Sequence, residues 1–389
     1  MDKQAASPMR PQTIPLSQPD LSEQDISAVM EVLHTPRLSL GPKVTGFEDK
    51  MAAYVGCRHA VAVSSGTSAL HLIVRALGIG EGDELITTPF SFVASANCIL
   101  YERAKPVFVD IEPATLNLDC DQVELAITSQ TKAILAVDVF GRPADWNRLR
   151  EIAQRRGLAL IEDSCEALGA RYRLETGEWM MAGSLGDAGA FAFYPNKQMT
   201  TGEGGMVVTD RDDIACLCRS LRNQGRDEGA GWLQHARLGY NYRISDINCA
   251  LGISQMNRLD EMLTARRLVA DRYADALSNL PEIVIPTETD GAEISWFVYV
   301  VRLRESFTRE TRDRILCHLR KRGVGCSNYF SPIHLQPYFR ELFGYREGDF
   351  PVTEAVSDRT VALPFFSQLH KEDVYQVAEI LRSILATIA

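Results

Sequence analysis

Between residues 59 and about 210, short apolar runs rich in β-branched residues alternate with segments whose apolar residues recur at helical spacing. The runs lack the polar alternation of a half-exposed strand, so each one predicts a strand that is buried on both faces. Buried strands separated by helices are typical of a mostly parallel sheet between two helical layers, and the predicted fold class is therefore three-layer α/β. The predicted strands are HAVAVSS, DELITTP, AKPVFVD, TKAILAVDVF, LALIEDS, AGAFAF and GGMVVTD, and the predicted helices between them include TSALHLIVRAL and WNRLREIAQRRG.

Three segments are predicted along the chain. Residues 1–15 are polar and contain prolines, which predicts a mobile N-terminal arm. Residues 16–259 form the large α/β domain, which ends in one or two long helices. The runs PEIVIP and SWFVYVVRL and the helical stretches RETRDRILCHLRKRG and KEDVYQVAEILRSILATI then predict a smaller α+β domain over residues 260–389.

Composition limits the partners and the compartment. The 389 residues include 41 Lys+Arg and 51 Asp+Glu, and a net charge of −10 gives no positive field for nucleic acid or an anionic membrane. No apolar run approaches the roughly 20 residues that span a bilayer, and the N-terminus lacks the apolar core of a signal peptide. The nine scattered cysteines without a CxxC pair favour reduced thiols. We expect a cytoplasmic protein without nucleic-acid, membrane or metal sites.

Two segments could each contribute to a ligand site. In HAVAVSSGTSALHL a buried strand runs into Gly66, Thr67 and a helix, whose first N–H groups and dipole make an anion seat. The alternative there is a capped helix start without a ligand. The strand LALIED ends in Asp163, which could hold a protonated ring nitrogen at the carboxyl edge of the sheet. A helix cap or a salt-bridge partner is the alternative for Asp163.

A third segment contains a lysine, Lys197, in NKQMTTGEGG between two apolar strands. A solvated loop lysine would be the default interpretation, but the surrounding glycines and threonines allow tight turns and close backbone approach. A lysine held in such a place can serve as an amine nucleophile toward an aldehyde. A phosphate seat, a strand-end aspartate and this lysine together predict a site for pyridoxal 5′-phosphate (PLP).

Nearly the whole chain resembles the DegT/DnrJ/StrS family of nucleotide-sugar aminotransferases, which are PLP enzymes of fold type I, the aspartate aminotransferase-like fold. The resemblance rests on the order and spacing of the motifs. They include LSLGPKVTGFE, SSGTSALHL, TTPFSFVASANCI, IEDSCEALGA, NKQMTTGEGGMVVT, LGYNYRISDINCALG and YFSPIHLQPYF.

The resemblance implies roles for individual residues. Lys197 would form the internal aldimine, Asp163 would hold the pyridinium nitrogen, and Gly66 and Thr67 would donate to the phosphate. Phe92 would stack on the cofactor ring. Asn241 would reach the phosphate of the other subunit's cofactor, which implies a homodimer with shared active sites.

Two positions depart from the family pattern. Ala192 stands where the family commonly has a serine that binds the phosphate, so neighbouring Ser or Thr hydroxyls must compensate. Glu166 stands where the family usually has Gln or His near the phenolic oxygen of the cofactor. A carboxylate there would repel a phenolate unless one of the two carries a proton, so Glu166 is expected to shift the protonation balance. The alternative is that Glu166 points elsewhere.

The implied reaction is a ping-pong transamination from L-glutamate, through pyridoxamine 5′-phosphate, to a nucleoside-diphosphate-linked keto-6-deoxy sugar, with a 4-keto sugar favoured over a 3-keto one. The amino sugar would serve a polysaccharide, a lipopolysaccharide or a glycosylated metabolite. His334 could contact the substrate or be structural. The candidate cations for the diphosphate, each with a plain surface charge as its alternative, are Arg37, Lys43, Arg226 and Arg243.

Two other functions stay open at this point. Some relatives are PLP- or pyridoxamine-dependent sugar 3-dehydratases, and the sequence DSCEALG around Asp163 is similar to theirs. Those relatives have His in place of the lysine, so Lys197 favours transamination. A regulator that binds PLP without turnover is the second alternative, which an intact Lys197 and Asp163 disfavour.

Overall fold

The computed structural model describes residues 13–229, 231 and 233–388. The helices are α1 (Glu23–Leu33), α2 (Pro42–Val55), α3 (Gly66–Ala76), α4 (Ala94–Tyr101), α5 (Cys120–Ala126), α6 (Trp146–Arg156), α7 (Asp212–Arg222), α8 (Asp246–Met256), α9 (Leu259–Leu277), α10 (Arg309–Lys321), α11 (Pro337–Phe343), α12 (Pro351–Ser357) and α13 (Lys371–Ile388). The strands are β1 (His59–Val63), β2 (Glu84–Thr87), β3 (Lys105–Phe108), β4 (Thr131–Val137), β5 (Ala159–Asp163), β6 (Arg171–Arg173), β7 (Trp179–Met181), β8 (Ala188–Ala192), β9 (Gly205–Thr209), β10 (Ile283–Val284), β11 (Ala292–Glu293), β12 (Tyr299–Leu303) and β13 (Thr360–Leu363).

The seven strands predicted from the apolar runs lie side by side in one sheet, in the order β1-β9-β8-β5-β4-β2-β3. Neighbours from β8 to β3 pair in parallel, whereas β9 runs antiparallel to both β8 and β1. The central strands are buried on both faces, as a sheet covered by helices requires. The three-layer α/β fold class is confirmed, and the mostly parallel sheet brings the ends of β4, β5 and β8 to one edge.

Helices cover both faces of the sheet with their apolar sides. On one face, α3 contributes Leu70 and Ile73 to the core. On the other face, α6 contributes Trp146, Leu149 and Ile152 to a second cluster. Helix α6 buries one apolar side and leaves its polar side outward. Helix α3 is enclosed more fully, because residues 68–74 are all buried.

The C-terminal part of the chain forms a second core. Strands β10, β12 and β13 make an antiparallel sheet, and α9, α10 and α13 pack on it. Helix α9 begins at Leu259, beside the boundary predicted at 259/260. Residues 1–12 of the predicted arm lie outside the described residues, and of its last three, Ile14 pairs with Val324 of this second core.

Strands β6 and β7 were not predicted. They are three residues each and form a small separate sheet with β11, which lies much later in the chain. Strands this short carry too few residues for a periodic pattern, so the sequence gives no signal for them. In the part of the chain that the structure describes, no helix is long and apolar enough to cross a membrane.

Candidate active site

A cavity of about 680 Å³ opens at the sheet edge where β4, β5 and β8 end and α3 begins. Most of its wall comes from the large α/β part, and the segment that includes Tyr329 and Phe330 closes it from the C-terminal part. The cavity therefore brings together residues that are far apart in the chain. The predicted residues that line it are Gly66, Thr67, Phe92, Asp163, Glu166 and Lys197.

One end of the cavity is formed by the N-terminus of α3. Ser65 is the N-cap and its Oγ accepts the N–H of Ser68 at 3.1 Å. The first backbone hydrogen bond of the helix runs from the Ala69 N–H to the Ser65 carbonyl, so the N–H groups of Gly66 and Thr67 have no acceptor within the helix. These two N–H groups and the helix dipole favour an anion there. A Cβ on Gly66 would lie 2.7 Å from Ala192 Cβ, so this position has no room for a side chain.

The carboxylate of Asp163 is fixed at the end of β5. It is 4% exposed, its Oδ2 accepts a hydrogen bond from Ser95 Oγ at 2.7 Å, and its Oδ1 accepts one from the Cys165 N–H at 3.2 Å. Ser91 Oγ lies 2.9 Å from Ser95 Oγ and extends this chain of hydroxyls. Neither serine was predicted as a site residue, although both lie in the quoted motif TTPFSFVASANCI.

Lys197 and Glu166 meet on the cavity floor. Lys197 Nζ lies 3.7 Å from Glu166 Oε1 and 4.0 Å from the centroid of the Phe297 ring. Glu166 Oε2 accepts the N–H of Phe140 at 2.9 Å. Burial raises the pKa of the Glu166 carboxyl, and the charge of Lys197 opposes that rise. The Arg266 guanidinium donates to the Lys197 carbonyl at 2.8 Å and holds the lysine's backbone.

A second pair of acids lies next to Asp163 and was also not predicted. Glu162 and Asp138 are both 0% exposed, and each accepts buried N–H groups. Burial raises the pKa of Asp138 well above its ordinary range, and the neighbouring Glu162 carboxylate raises it further. Asp138 Oδ2 also accepts a hydrogen bond from Ser164 Oγ at 2.9 Å. Glu162 and Ser164, the residues before and after Asp163, are therefore both held by buried hydrogen bonds.

Among the residues that the structure describes, five aromatic side chains line the cavity, and all of them except Phe92 were missed. Phe92 and Tyr194 are 61% and 52% exposed at the mouth, and Phe297, Tyr329 and Phe330 line the inside. Burial raises the pKa of the Tyr329 hydroxyl. Tyr329 belongs to the quoted motif YFSPIHLQPYF, from which His334 had been chosen instead.

His334 does not line this cavity. Its side chain is 0% exposed, its Nε2 lies 3.0 Å from Glu354 Oε1, and its ring packs against Phe350. Burial lowers the pKa of His334, which favours the neutral ring. A short helical turn places the imidazole in an aromatic cluster, which supports the structural alternative for His334.

The remaining predicted residues lie outside the cavity wall of this single chain. Asn241 is exposed and pairs through its backbone with Asn223, whose side-chain oxygen accepts a hydrogen bond from Arg243 at 3.2 Å. Lys43 forms an ion pair with Glu31 at 3.9 Å. Arg37 is exposed and Arg226 is half-buried, and neither lines the cavity.

The donors and acceptors in the cavity fit PLP. The free N–H groups at the start of α3 suit the phosphate, the buried Asp163 carboxylate suits a protonated ring nitrogen, and the Lys197 amine suits the aldehyde. The close approach of Ala192 and Cys165 explains the glycine at position 66, because a Cβ there would lie 2.7 Å from Ala192 Cβ and 2.9 Å from Cys165 Sγ. Ala192 lies in the wall with no hydroxyl to offer, and Ser65 and Thr67 supply hydroxyls beside it.

Comparisons with known proteins identify the family of the chain. The sequence model of the DegT/DnrJ/EryC1/StrS aminotransferase family matches residues 19–382. The chain is 38% identical to the spore coat polysaccharide biosynthesis protein SpsC of Bacillus subtilis, over 96% of this chain and 97% of that protein. It is 37% identical to the GDP-perosamine synthase of Caulobacter vibrioides, over 96% of this chain and 98% of that enzyme.

A solved structure with the same fold is the putative sugar aminotransferase Spr1654 from Streptococcus pneumoniae. Its PMP form superimposes with a TM-score of 0.91 at 27% identity and covers 97% of this chain and 100% of its own. Its PLP form gives the same TM-score at 28% identity. The fold similarity therefore includes a protein solved with both forms of the cofactor.

Proposed function

Because the chain belongs to the DegT/DnrJ/EryC1/StrS aminotransferase family and is a PLP-dependent sugar aminotransferase, we propose that it moves the amino group of L-glutamate onto a nucleoside-diphosphate-linked keto-6-deoxy sugar. The favoured acceptor is a 4-keto sugar. The observation that carries the proposal is the single cavity that holds Lys197, Asp163 and the N-terminus of α3.

PLP, when bound, supplies an aldehyde that captures amino groups and a ring that withdraws electrons from the carbon that carries the captured amino group. The protein's part is to bind and orient it. Gly66 and Thr67 bind the phosphate through their N–H groups, and Phe92 covers one face of the ring. Asp163 keeps a proton on the ring nitrogen, and its two hydrogen bonds fix the carboxylate in place for that task.

Lys197 is proposed to move the proton of the reaction. Its amine lies on the cavity floor with a 13% exposed side chain, so bulk water has little access to it. An amine so placed acts as a general base that takes the proton from the α-carbon of the donor. The same group then acts as an acid and gives the proton back later in the reaction. The short contact with Phe297 and the hold of Arg266 on its backbone limit where the amine can swing.

The aromatic mouth supports a sugar as the acceptor. Phe92 and Tyr194 present exposed ring faces there, and Tyr329 offers a hydroxyl beside an apolar ring. Flat apolar faces with nearby hydroxyls suit a 6-deoxyhexose, which has both polar and apolar sides. A nucleoside diphosphate on that sugar would extend beyond the cavity, where the proposed cations are Arg226 and, contributed across the subunit interface proposed below, Arg243.

We also propose a cytoplasmic homodimer with shared active sites. Asn241 and Arg243 lie outside the cavity of their own chain, so the proposal places them at the partner's cofactor phosphate and substrate. Leu38 and Leu40 are 44% and 57% exposed and flank Ser39, whose backbone pairs with Ser245 near Arg243. Exposed apolar side chains next to these polar residues support an interface at this surface.

The substrate proposal is tested by product analysis. Purified protein, PLP and L-glutamate labelled at its amino nitrogen are offered a panel of nucleoside-diphosphate 4-keto and 3-keto sugars, and the products are identified by mass spectrometry. The expected result is labelled amino sugar from a 4-keto substrate. Loss of water from the sugar without label would favour the dehydratase, and no turnover with any substrate would favour the regulator.

Two variants sharpen that test. Lys197→Ala is expected to yield folded protein without product and without the borohydride-sensitive visible band of bound PLP. Lys50→Ala, at an exposed lysine that hydrogen-bonds Asn257, is the matched control and keeps both. Persistence of the band in Lys197→Ala would refute the assignment of that lysine.

Shared active sites have their own test. Lys197→Ala and Asn241→Ala are each expected to be impaired, and a mixed dimer contains one site with both native residues. Mixing the two variants under conditions that exchange subunits is therefore expected to recover activity. No recovery, or a monomer by light scattering, would contradict the shared-site dimer.

A further inference from the structure

The ammonium group of Lys197 is enclosed together with one carboxyl group. Its side chain is 13% exposed and that of Glu166 is 8% exposed, with 3.7 Å between Nζ and Oε1. Asp163 and Glu203 also line the cavity, and Asp163 already accepts hydrogen bonds from Ser95 and Cys165. Among the described residues, the carboxyl group within 4.0 Å of Lys197 Nζ is that of Glu166. The charge of Lys197 is thus balanced mainly by Glu166.

The two oxygens of Glu166 have different surroundings. Oε2 accepts the backbone N–H of Phe140 at 2.9 Å, which fixes the carboxyl group. Oε1 faces Nζ across the short gap, and the Gln198 amide holds the Glu166 backbone by donating to its carbonyl at 2.5 Å. Glu166 therefore presents one free oxygen to the lysine from a fixed position.

We propose that Glu166 is the proton partner of Lys197: without cofactor it pairs with the ammonium group, and it takes the proton of that group to leave a neutral, nucleophilic amine. One N–H bond of the ammonium breaks, an O–H bond forms at Oε1, and the ion pair becomes a neutral pair with no change in total charge. The gap must shorten to hydrogen-bond length for this, about 2.8 Å, which the flexible lysine chain allows.

Burial favours this exchange. Water solvates both members of an exposed ion pair, but a buried pair loses that solvation and the neutral form becomes accessible. Burial raises the pKa of Glu166, in agreement with a carboxyl group that accepts a proton at this place. Among the described residues, the other titratable or charged groups that line the same cavity are Asp163, Cys165, Tyr194, Glu203 and Tyr329. Outside the cavity lining, Arg266 donates to the Lys197 carbonyl.

The role of a neutral amine in the reaction rests on the proposed function, but the effect of the Glu166 charge on the protonation of Lys197 does not. It is measured on the full chain stripped of cofactor, by reductive methylation with formaldehyde and cyanoborohydride over a series of pH values. Peptide mass spectrometry then gives the pH at which half of each lysine reacts in a fixed time. Lys50, exposed on α2, serves as the control within the same sample.

The central variant is Glu166→Gln, which keeps the shape and removes the charge. It is expected to lower the half-reaction pH of Lys197 by about one to three pH units, because a unit charge near 4 Å contributes that much at the effective dielectric of a protein. The value for Lys50 is expected to stay unchanged. Glu166→Asp retains the charge at a greater distance and is expected to give a smaller shift than Gln.

The result that would overturn the proposal is a half-reaction pH for Lys197 that is equal in wild type and Glu166→Gln. If the glutamine variant does not fold by circular dichroism, an aspartate variant equal to wild type overturns it in the same way. The proposed function fails separately, when no keto sugar gives labelled product. Each experiment can therefore fail while the other succeeds.

Discussion

Replacing the buried Asp138 by alanine is expected to destabilise the fold strongly. Asp138 Oδ1 accepts the backbone N–H of Ala144 at 2.9 Å and the indole N–H of Trp146 at 3.0 Å, and Oδ2 bonds Ser164 Oγ at 2.9 Å. Both N–H groups belong to residues that are at most 1% exposed. Water therefore cannot replace the lost acceptor without a rearrangement of the core.

The magnitude follows from those contacts. An orphaned buried donor costs about 1–3 kcal/mol, so two of them cost on the order of 2–6 kcal/mol. The third partner, Ser164, can turn its hydroxyl and adds little. A loss of this size is a large part of the stability of a typical protein and lowers the midpoint of thermal unfolding by many degrees.

Replacement of Asp138 by asparagine is expected to stabilise the fold relative to wild type, and the difference is expected to grow as the pH rises. Burial, and then the Glu162 charge, raise the pKa of Asp138 above its ordinary value of 3.8, so the folded protein holds a proton that the unfolded chain releases. The stability this proton contributes is present below about pH 4 and is lost as the pH rises through the raised pKa. Asparagine cannot ionise, and its amide can donate to Glu162 in place of the proton.

The assay is thermal unfolding by circular dichroism from pH 5 to pH 9 for wild type, Asp138→Asn and Asp138→Ala. Asp49→Asn, at an exposed position of α2, is the control for a change in net charge. The midpoint of Asp138→Asn relative to wild type is expected to rise with pH, while Asp138→Ala stays well below both. An alanine variant as stable as wild type, or an asparagine difference that does not change with pH, would refute the reasoning.

Three further variants test the site. Gly66→Ala is expected to weaken PLP binding about tenfold or more in a fluorescence titration, because the added methyl meets Ala192 Cβ at 2.7 Å, and unchanged affinity would contradict the tight seat. Asp163→Ala is expected to lower transamination by orders of magnitude with a smaller effect on PLP retention, and a rate near wild type would remove its assigned role. His334→Ala is expected to lower the unfolding midpoint without a change in KM for the sugar, since it is buried against Glu354, and a raised KM in a stable variant would restore the substrate contact.

The sequence was informative about the site wherever a residue's place follows from its own segment. Asp163 ends a buried strand, Gly66 and Thr67 begin a helix after another, and Lys197 lies in a glycine-rich connection between two more. The structure brings all four to one cavity because parallel strands have their carboxyl ends at the same edge. The order of strands in the sheet did not need to be known for this.

The sequence was less informative wherever a contact joins distant segments. Nothing local indicates that Glu166 faces the Lys197 amine, that Ser95 holds Asp163, or that Tyr329 closes the cavity while His334 points away from it. Each depends on how one element is rotated and packed against another. A motif with two candidate side chains, such as YFSPIHLQPYF, cannot by itself say which one faces a ligand.

The alternation of apolar strands and amphipathic helices alone determined the layers and the strand ends, because burial on two faces or on one is written into the local pattern of residues. Tertiary structure alone decided the pairs of charges: Glu166 with Lys197, and Asp138 with Glu162. The physical reason is that Coulomb and solvation energies depend on distance and burial, and neither quantity exists until the chain has folded.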